Sequence, residues 1–139
     1  MQWNSEDHGS FTSSSTKPWM RANPSYESIN AESQVEDSAS PFNYWSSMLA
    51  ARKKYKDVLV YGNFQLLDRE DEKIFAYERQ AETGEKILVL CNFSPDKVEW
   101  KGEVGEVKEV VLSNYGRAVS DFRDGKVTLD AYEAWAVLL

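Results

Sequence analysis

The chain has 139 residues, with 16 basic against 23 acidic side chains for a net charge of −7, one cysteine and 13% aromatic residues. That length suffices for one ordinary domain with a real core, and the acidic balance argues against nucleic acid or anionic membrane partners. The lone Cys91 rules out an internal disulfide and a multi-thiolate metal site.

Residues 1–39 are rich in Ser, Asn and Glu and show neither helical nor alternating periodicity. Composition alone reads as disorder, yet Trp3, Phe11, Trp19, Tyr26 and Ile29 are apolar anchors a solvated linker does not need. The expectation is a long ordered loop lying across another surface. Ser40-Pro41 then reads as an N-cap with proline in the first turn. Tyr44, Trp45, Met48, Leu49 and Tyr55 follow at helical spacing, and Arg52, Lys53, Lys54 and Lys56 sit near the C-terminal end, where the dipole favours cations. This predicts one amphipathic helix over 41–56 with its stripe, Trp45 included, in a core.

After Asp57 the texture becomes short β-branched and aromatic runs: Val58–Tyr61, Phe64–Leu67, Ile74–Tyr77, Ile87–Phe93, Val107–Leu112, Asp121–Leu129 with an Asp124-Gly125 hairpin signal, and Ala134–Leu139. These predict an antiparallel sheet folded as a small sandwich, with Ile87–Leu90, apolar on both faces, as a central strand. The organisation is therefore an irregular segment plus one helix (1–57) followed by a β module (58–139). The fold class is mostly β. The module can bury a core, whereas the helix stripe and the anchored loop need a further surface.

Candidate chemistry is sparse. His8, the only imidazole, lies in the turn-like Ser5-Glu6-Asp7-His8-Gly9-Ser10 and reads as a solvated loop residue rather than a triad base. Adjacent Glu6, Asp7 and His8 do not make a metal site, and Asp68–Lys73 lacks the glycine of a calcium loop and reads as a solvated turn. Cys91, inside an apolar run, reads as an inert buried thiol. No acid is flanked by the apolar residues that raise a general-acid pKa, and no phosphate or dinucleotide glycine pattern occurs. Catalytic residues, metal ligands and cofactors are expected to be none. Trp135 is expected in the core, and Trp100 is the one module tryptophan expected on display, a candidate sugar-stacking ring. No apolar run approaches the ~20 residues that span a bilayer, and no signal peptide pattern opens the chain, so a cytoplasmic protein without membrane contact is expected.

Several pieces, in order, carry a resemblance: Met1-Gln2-Trp3-Asn4, Gly9-Ser10-Phe11-Thr12, Pro18–Pro24, Tyr26, Ile29-Asn30, Leu59–Phe64, Leu88–Ser94, Leu112–Gly116 and Tyr132-Glu133-Ala134. Together they resemble the maltase and isomaltase (oligo-1,6-glucosidase) branch of glycoside hydrolase family 13, in its fungal-type form, over essentially the whole chain. The resemblance implies a retaining α-glucosidase built on a (β/α)8 barrel with a C-terminal antiparallel β domain, acting on α-glucoside sugars of the maltose and isomaltose type. It also implies that this chain corresponds to the last quarter of such an enzyme. The irregular segment and helix would be left over from the barrel, and the nucleophile, acid/base and third carboxylate would lie upstream of Met1. Position 4 is Asn where the family has aspartate, and Ala131 stands where proline is common. Gln2 and Trp3 are carried over as candidate substrate-pocket rim residues. The alternatives are a stand-alone glucan-binding β module and an interaction protein that docks on a separate catalytic barrel.

Overall fold

The computed structural model describes residues 1–122 and 127–139. It divides into two units, Met1–Ser47 and Met48–Leu139.

The first unit is organised by capped turns rather than by apolar periodicity. Short 3-10 turns at Asp7–Ser10 and Pro24–Glu27 precede helix α1 (Ala31–Glu36). The four free amides at the start of a helix need acceptors, and each finds one here. Ala31 N–H donates to Gln2 O (2.9 Å), and Glu32 N–H donates to Trp3 O (2.9 Å). Ser33 N–H donates to Asn30 Oδ1 (2.9 Å). Ser33 Oγ accepts in turn from the Asn30 amide, a reciprocal capping box. The expectation of a wholly irregular loop over 1–39 is thereby corrected. Six residues are too few to show a period, and it is Asn30, three before Ser33, that sets the helix start.

Helix α2 (Pro41–Lys54) begins where Ser40-Pro41 predicts, with Asn43 N–H donating to Ser40 Oγ (3.2 Å). Asn43 Nδ2 then holds the turn before it, donating to Gln34 O (3.0 Å) and Asp37 O (2.8 Å). Of the stripe only Tyr55, just past the helix end, is buried in a core. Trp45 is 59% exposed and Leu49 58% exposed, while Tyr44 and Met48 are only half-buried. Helical spacing fixes which residues share a face, but not what covers that face.

In the second unit the run read as a strand at Val58–Tyr61 is not one: Val58 and Leu59 end helix α3 (Lys56–Leu59), and Val60 and Tyr61 turn away from it. Four apolar residues are too short a run for β-propensity to decide. Val58, fully buried, packs with Tyr55, Ala81 and Ile87 in a small cluster instead. Seven strands follow: β1 (Asn63–Leu66), β2 (Ile74–Gln80), β3 (Lys86–Asn92), β4 (Val98–Trp100), β5 (Glu109–Ser113), β6 (Val127–Leu129) and β7 (Ala134–Leu138). Their pairings are antiparallel, in a five-stranded sheet ordered β1-β2-β3-β7-β5 and a two-stranded sheet of β4 and β6. As its doubly apolar sequence predicts, β3 is the middle strand. Period-two alternation sends Ile74, Ala76, Leu88, Leu90, Trp135 and Val137 into one face, where they meet Trp100, Val127 and Leu129 of the small sheet, with Phe122 and Val104. Phe122 meets Trp135 edge to face at 4.8 Å.

Two further expectations are corrected. Trp100 is not displayed but 4% exposed, its ring lying so close over Gly102 that a Cβ there would come within 2.2 Å of it. The strand expected from Asp121 opens instead as a 3-10 turn (Val119–Phe122), and β6 pairs with β4, which no alternating run announces. The Asp124-Gly125 signal lies outside the described residues.

Candidate functional site

The residues carried over as rim candidates sit in the first unit. Trp3 N–H donates to Gly9 O (2.8 Å), and the Gln2 and Trp3 carbonyls cap α1 as described, so residues 2–3 are pinned between the His8 turn and the helix start. Gly9 sits at φ +65°, and a Cβ there would lie 3.2 Å from Gln2 Cα, so glycine lets the turn close on residues 2–3 without strain or crowding. Its neighbours His8 (φ 60°) and Ser10 (φ 54°) also hold left-handed backbone. Such strain, on the order of 1 kcal/mol or more per residue, persists only where surrounding bonds enforce it. Ser10 Oγ donating to Glu6 Oε2 (3.0 Å) and Gly9 N–H donating to Glu6 O (2.7 Å) are among those bonds.

The Gln2 side chain reaches the other turn. Its Nε2 lies 3.4 Å from both Asn23 O and Ser25 Oγ, while Asn23 Oδ1 accepts from the Ser25 amide and caps Pro24–Glu27. Two open hollows flank this point. One of about 470 Å³ is walled by His8, Trp19, Arg21 and Tyr26 among others, and one of about 310 Å³ by Gln2, His8, Phe11, Trp19 and Arg21. Trp3 stands outside both walls with its indole 52% exposed, and Trp19 is 93% exposed. The hollows therefore offer amide, imidazole and guanidinium donors together with aromatic faces, groups suited to holding a polar ring. His8 lies in a turn, as its sequence predicts. A third open hollow is lined by polar residues, Glu6, Asp7 and Ser10 among them. Among the described residues no group of three or more His, Cys, Asp or Glu is placed to hold a metal ion.

The β module uses its polar motif residues to hold itself together. Buried Asn92 donates through Nδ2 to Asp96 O (2.7 Å) and Asp130 O (2.9 Å), and its Oδ1 accepts from the Ser94 amide and hydroxyl. Asn114 repeats the device, donating to Tyr132 O (2.9 Å) and accepting from the Ala134 amide (2.9 Å). Glu133 is fully buried. Its carboxylate takes Arg117 Nε (2.6 Å) and Nη2 (2.7 Å) as a two-pronged pair and accepts from the Asp130 amide (2.7 Å). Arg117 Nη2 also donates to Thr128 O (2.8 Å), tying the turn before β7 to β6. Lys97 pairs with Asp130 at 2.9 Å and holds its carboxyl below the usual range. Sequence reasoning singled out Asn92, Asn114 and Glu133 only as marks of resemblance and missed Arg117. A signal existed for Asn92, since an asparagine closing an apolar run two residues before serine is an Asx-turn pattern. Nothing in the sequence pairs Arg117 with a residue sixteen positions on.

Cys91 is half-buried on β3, and burial pushes its thiol up, which makes it a poor nucleophile. The Asp68–Lys73 run is a pair of Asx turns. Asp68 Oδ1 accepts from the Glu70 and Asp71 amides, and Asp71 Oδ1 accepts from the Lys73 and Ile74 amides.

Comparison with known proteins places this architecture. Residues 1–62 match the model of the alpha amylase catalytic domain, and residues 64–135 match that of the maltogenic amylase C-terminal domain. An alpha-glucosidase of Schizosaccharomyces pombe is 39% identical over 137 residues, covering 96% of this chain and 23% of the relative. The oligo-1,6-glucosidase IMA5 of Saccharomyces cerevisiae is 32% identical, covering 99% of this chain and 23% of that protein. Among solved structures, isomaltulose synthase from Klebsiella sp. LX3 superposes with a TM-score of 0.83 at 30% identity, covering 99% of this chain and 24% of that one. The chain thus spans under a quarter of the length of these relatives. Among the described residues no helix is long and apolar enough to cross a membrane. With the maltogenic amylase C-terminal domain model matched over more than half of its residues, directly after the alpha amylase catalytic-domain match, the chain belongs to glycoside hydrolase family 13, and it is similar to the closing stretch of the family's α-glucosidases.

Proposed function

We propose that this chain supplies the closing part of the catalytic domain and the C-terminal β domain of an α-glucosidase that hydrolyses terminal bonds of maltose- and isomaltose-type sugars, and that it carries none of the catalytic carboxylates itself. The observation that carries the reading is the pair of abutting matches, a catalytic-domain model ending at residue 62 and a C-terminal-domain model beginning at 64. Within it, residues 1–57 belong to the catalytic domain and 58–139 form the β domain. The exposed Trp45 and Leu49 on α2 and the exposed Trp19 support the division, because apolar residues at helical spacing want a covering surface.

Gln2 and Trp3 then take the place of rim residues. Gln2 would offer its amide to a sugar hydroxyl, and the half-exposed Trp3 indole would offer an apolar face to a pyranose. α-Glucoside sugars are thus ligands of the assembled enzyme, which works in the cytoplasm.

The test is complementation. The Schizosaccharomyces pombe relative is truncated before the region aligned with this chain and co-expressed with the 139-residue chain. Maltose or isomaltose hydrolysis that needs both pieces supports the reading. Soluble, co-purifying pieces without turnover count against it.

A further inference from the structure

His8 stands where two hollows of the first unit meet. It lines both the hollow of about 470 Å³ and the one of about 310 Å³, together with Trp19, Arg21 and Ala22. Backbone geometry puts it there. His8 (φ 60°), Gly9 (φ 65°) and Ser10 (φ 54°) run left-handed in succession, a conformation that residues with a side chain seldom adopt. The turn is wedged as well as bonded. A Cβ on Gly9 would come 3.2 Å from Gln2 Cα and 3.4 Å from Tyr26 Cβ, so the turn is fixed between residues 2–3 and the Pro24–Glu27 turn. Strain of this kind clusters where a site uses it. Here it leaves His8 half-buried, its imidazole without a hydrogen-bond or ion-pair partner among the described residues. The Arg21 guanidinium and the Trp19 indole beside it are likewise unpartnered among those residues.

We propose that His8 is a sugar-contacting residue that recognises the second glucose unit of the substrate, an inference that rests on the function proposed above. In an enzyme that cuts terminal bonds the terminal unit lies deepest, so a residue at the rim meets the unit next to it. A neutral imidazole carries one donor and one acceptor, and neighbouring hydroxyls of a pyranose offer the complementary acceptor and donor. Arg21 adds donors only, and Trp19, 93% exposed, adds an apolar ring face. A metal ion fits poorly, since among the described residues no group of three or more His, Cys, Asp or Glu is placed to hold one. An anion fits less well than a neutral sugar. Lys17 and Arg21 would draw it, but Glu27 lines the same hollow and the chain carries a net charge of −7.

The test uses the enzyme reconstituted from the 139-residue chain and the truncated Schizosaccharomyces pombe catalytic piece. Its substrates are maltose, isomaltose and p-nitrophenyl α-D-glucoside, in which an aryl group replaces the second sugar. His8→Gly removes the imidazole and suits the left-handed backbone, so the turn is kept; thermal melting of the chain checks this. The expected result is a KM for maltose and isomaltose raised about fivefold, the weight of one hydrogen bond, with KM for the aryl glucoside changed by under about twofold. If His8→Gly fails to assemble, His8→Asn replaces it. Asparagine tolerates the same backbone but is too short to span both hollows, and the same split between substrates is expected. An equal rise in KM for all three substrates, or no rise, with an active wild type, overturns the inference and leaves the proposed function standing. No turnover of any substrate by the wild-type reconstitution overturns both. Inorganic phosphate that competes with maltose in the wild type but not in His8→Gly overturns it in favour of an anion.

Discussion

Arg117→Ala tests how the β module is held together. Glu133 is fully buried, while the Arg117 side chain is 22% exposed. Deleting the guanidinium removes two charge-assisted bonds of 2.6 and 2.7 Å and leaves a carboxylate in the interior with, among the described residues, only the Asp130 amide as donor. Breaking a buried pair in this way costs about 3–5 kcal/mol. The partial exposure of Arg117 lets water approach the vacated space, which points to the lower end, about 3 kcal/mol. At roughly 4–8 °C per kcal/mol for a domain of this size, the melting temperature should fall by about 12–24 °C. Tryptophan fluorescence is a suitable reporter, because Trp100 and Trp135 are buried while Trp3, Trp19 and Trp45 already face water. The blue-shifted part of the emission therefore follows the module. Adding Glu133→Gln to Arg117→Ala removes the stranded charge and keeps an acceptor for the Asp130 amide, so the double variant should be more stable than Arg117→Ala alone. A loss under about 1 kcal/mol for Arg117→Ala, or no recovery in the double variant, would refute the idea that an uncompensated buried charge sets the cost.

Gly62→Ala should destabilise the second unit by about 1–3 kcal/mol, because a Cβ there would stand 2.4 Å from Val58 O and 2.7 Å from Gln80 O, both backbone atoms that cannot turn aside; urea denaturation of the full chain checks it. Asp130 should titrate below the ordinary carboxylate range, and Lys97→Met should move it up, read by carbon-13 shifts of its carboxyl. The sign follows from the lowered folded-state value: the Lys97–Asp130 contribution is present above the unfolded-state pKa and is lost as pH falls through the folded one. Lys97→Met should therefore flatten the acid limb of stability. An unmoved titration would mean that the pair does not form in solution.

The β module was legible where burial is regular. The doubly apolar Ile87–Leu90 announced a middle strand, because strands covered on both faces cannot alternate. Short runs were less legible. Val58–Tyr61 reads equally as strand or helix, and only its packing on Ile87 decides. β4, three residues long with Glu99 exposed between half-buried Val98 and buried Trp100, is too brief to stand out from its loop. Trp100 is buried rather than on display because Gly102 opens a slot for its ring, a contact no side-chain pattern announces. In the first unit, Gln2 and Trp3 were found through resemblance. Their carbonyls capping α1 depend on backbone geometry that no side-chain pattern encodes. The same holds for Arg117 and Glu133, a contact across sixteen residues that folding alone creates.

The most direct test of the account is the hydrolysis of maltose and isomaltose by the purified 139-residue chain, measured as released glucose beside an intact α-glucosidase of the same family. The account predicts no turnover above buffer at any chain concentration, since the proposed function assigns the catalytic carboxylates to the rest of the enzyme. Glucose release that scales with the chain, follows it through gel filtration and persists after contaminating glucosidase has been excluded would contradict it.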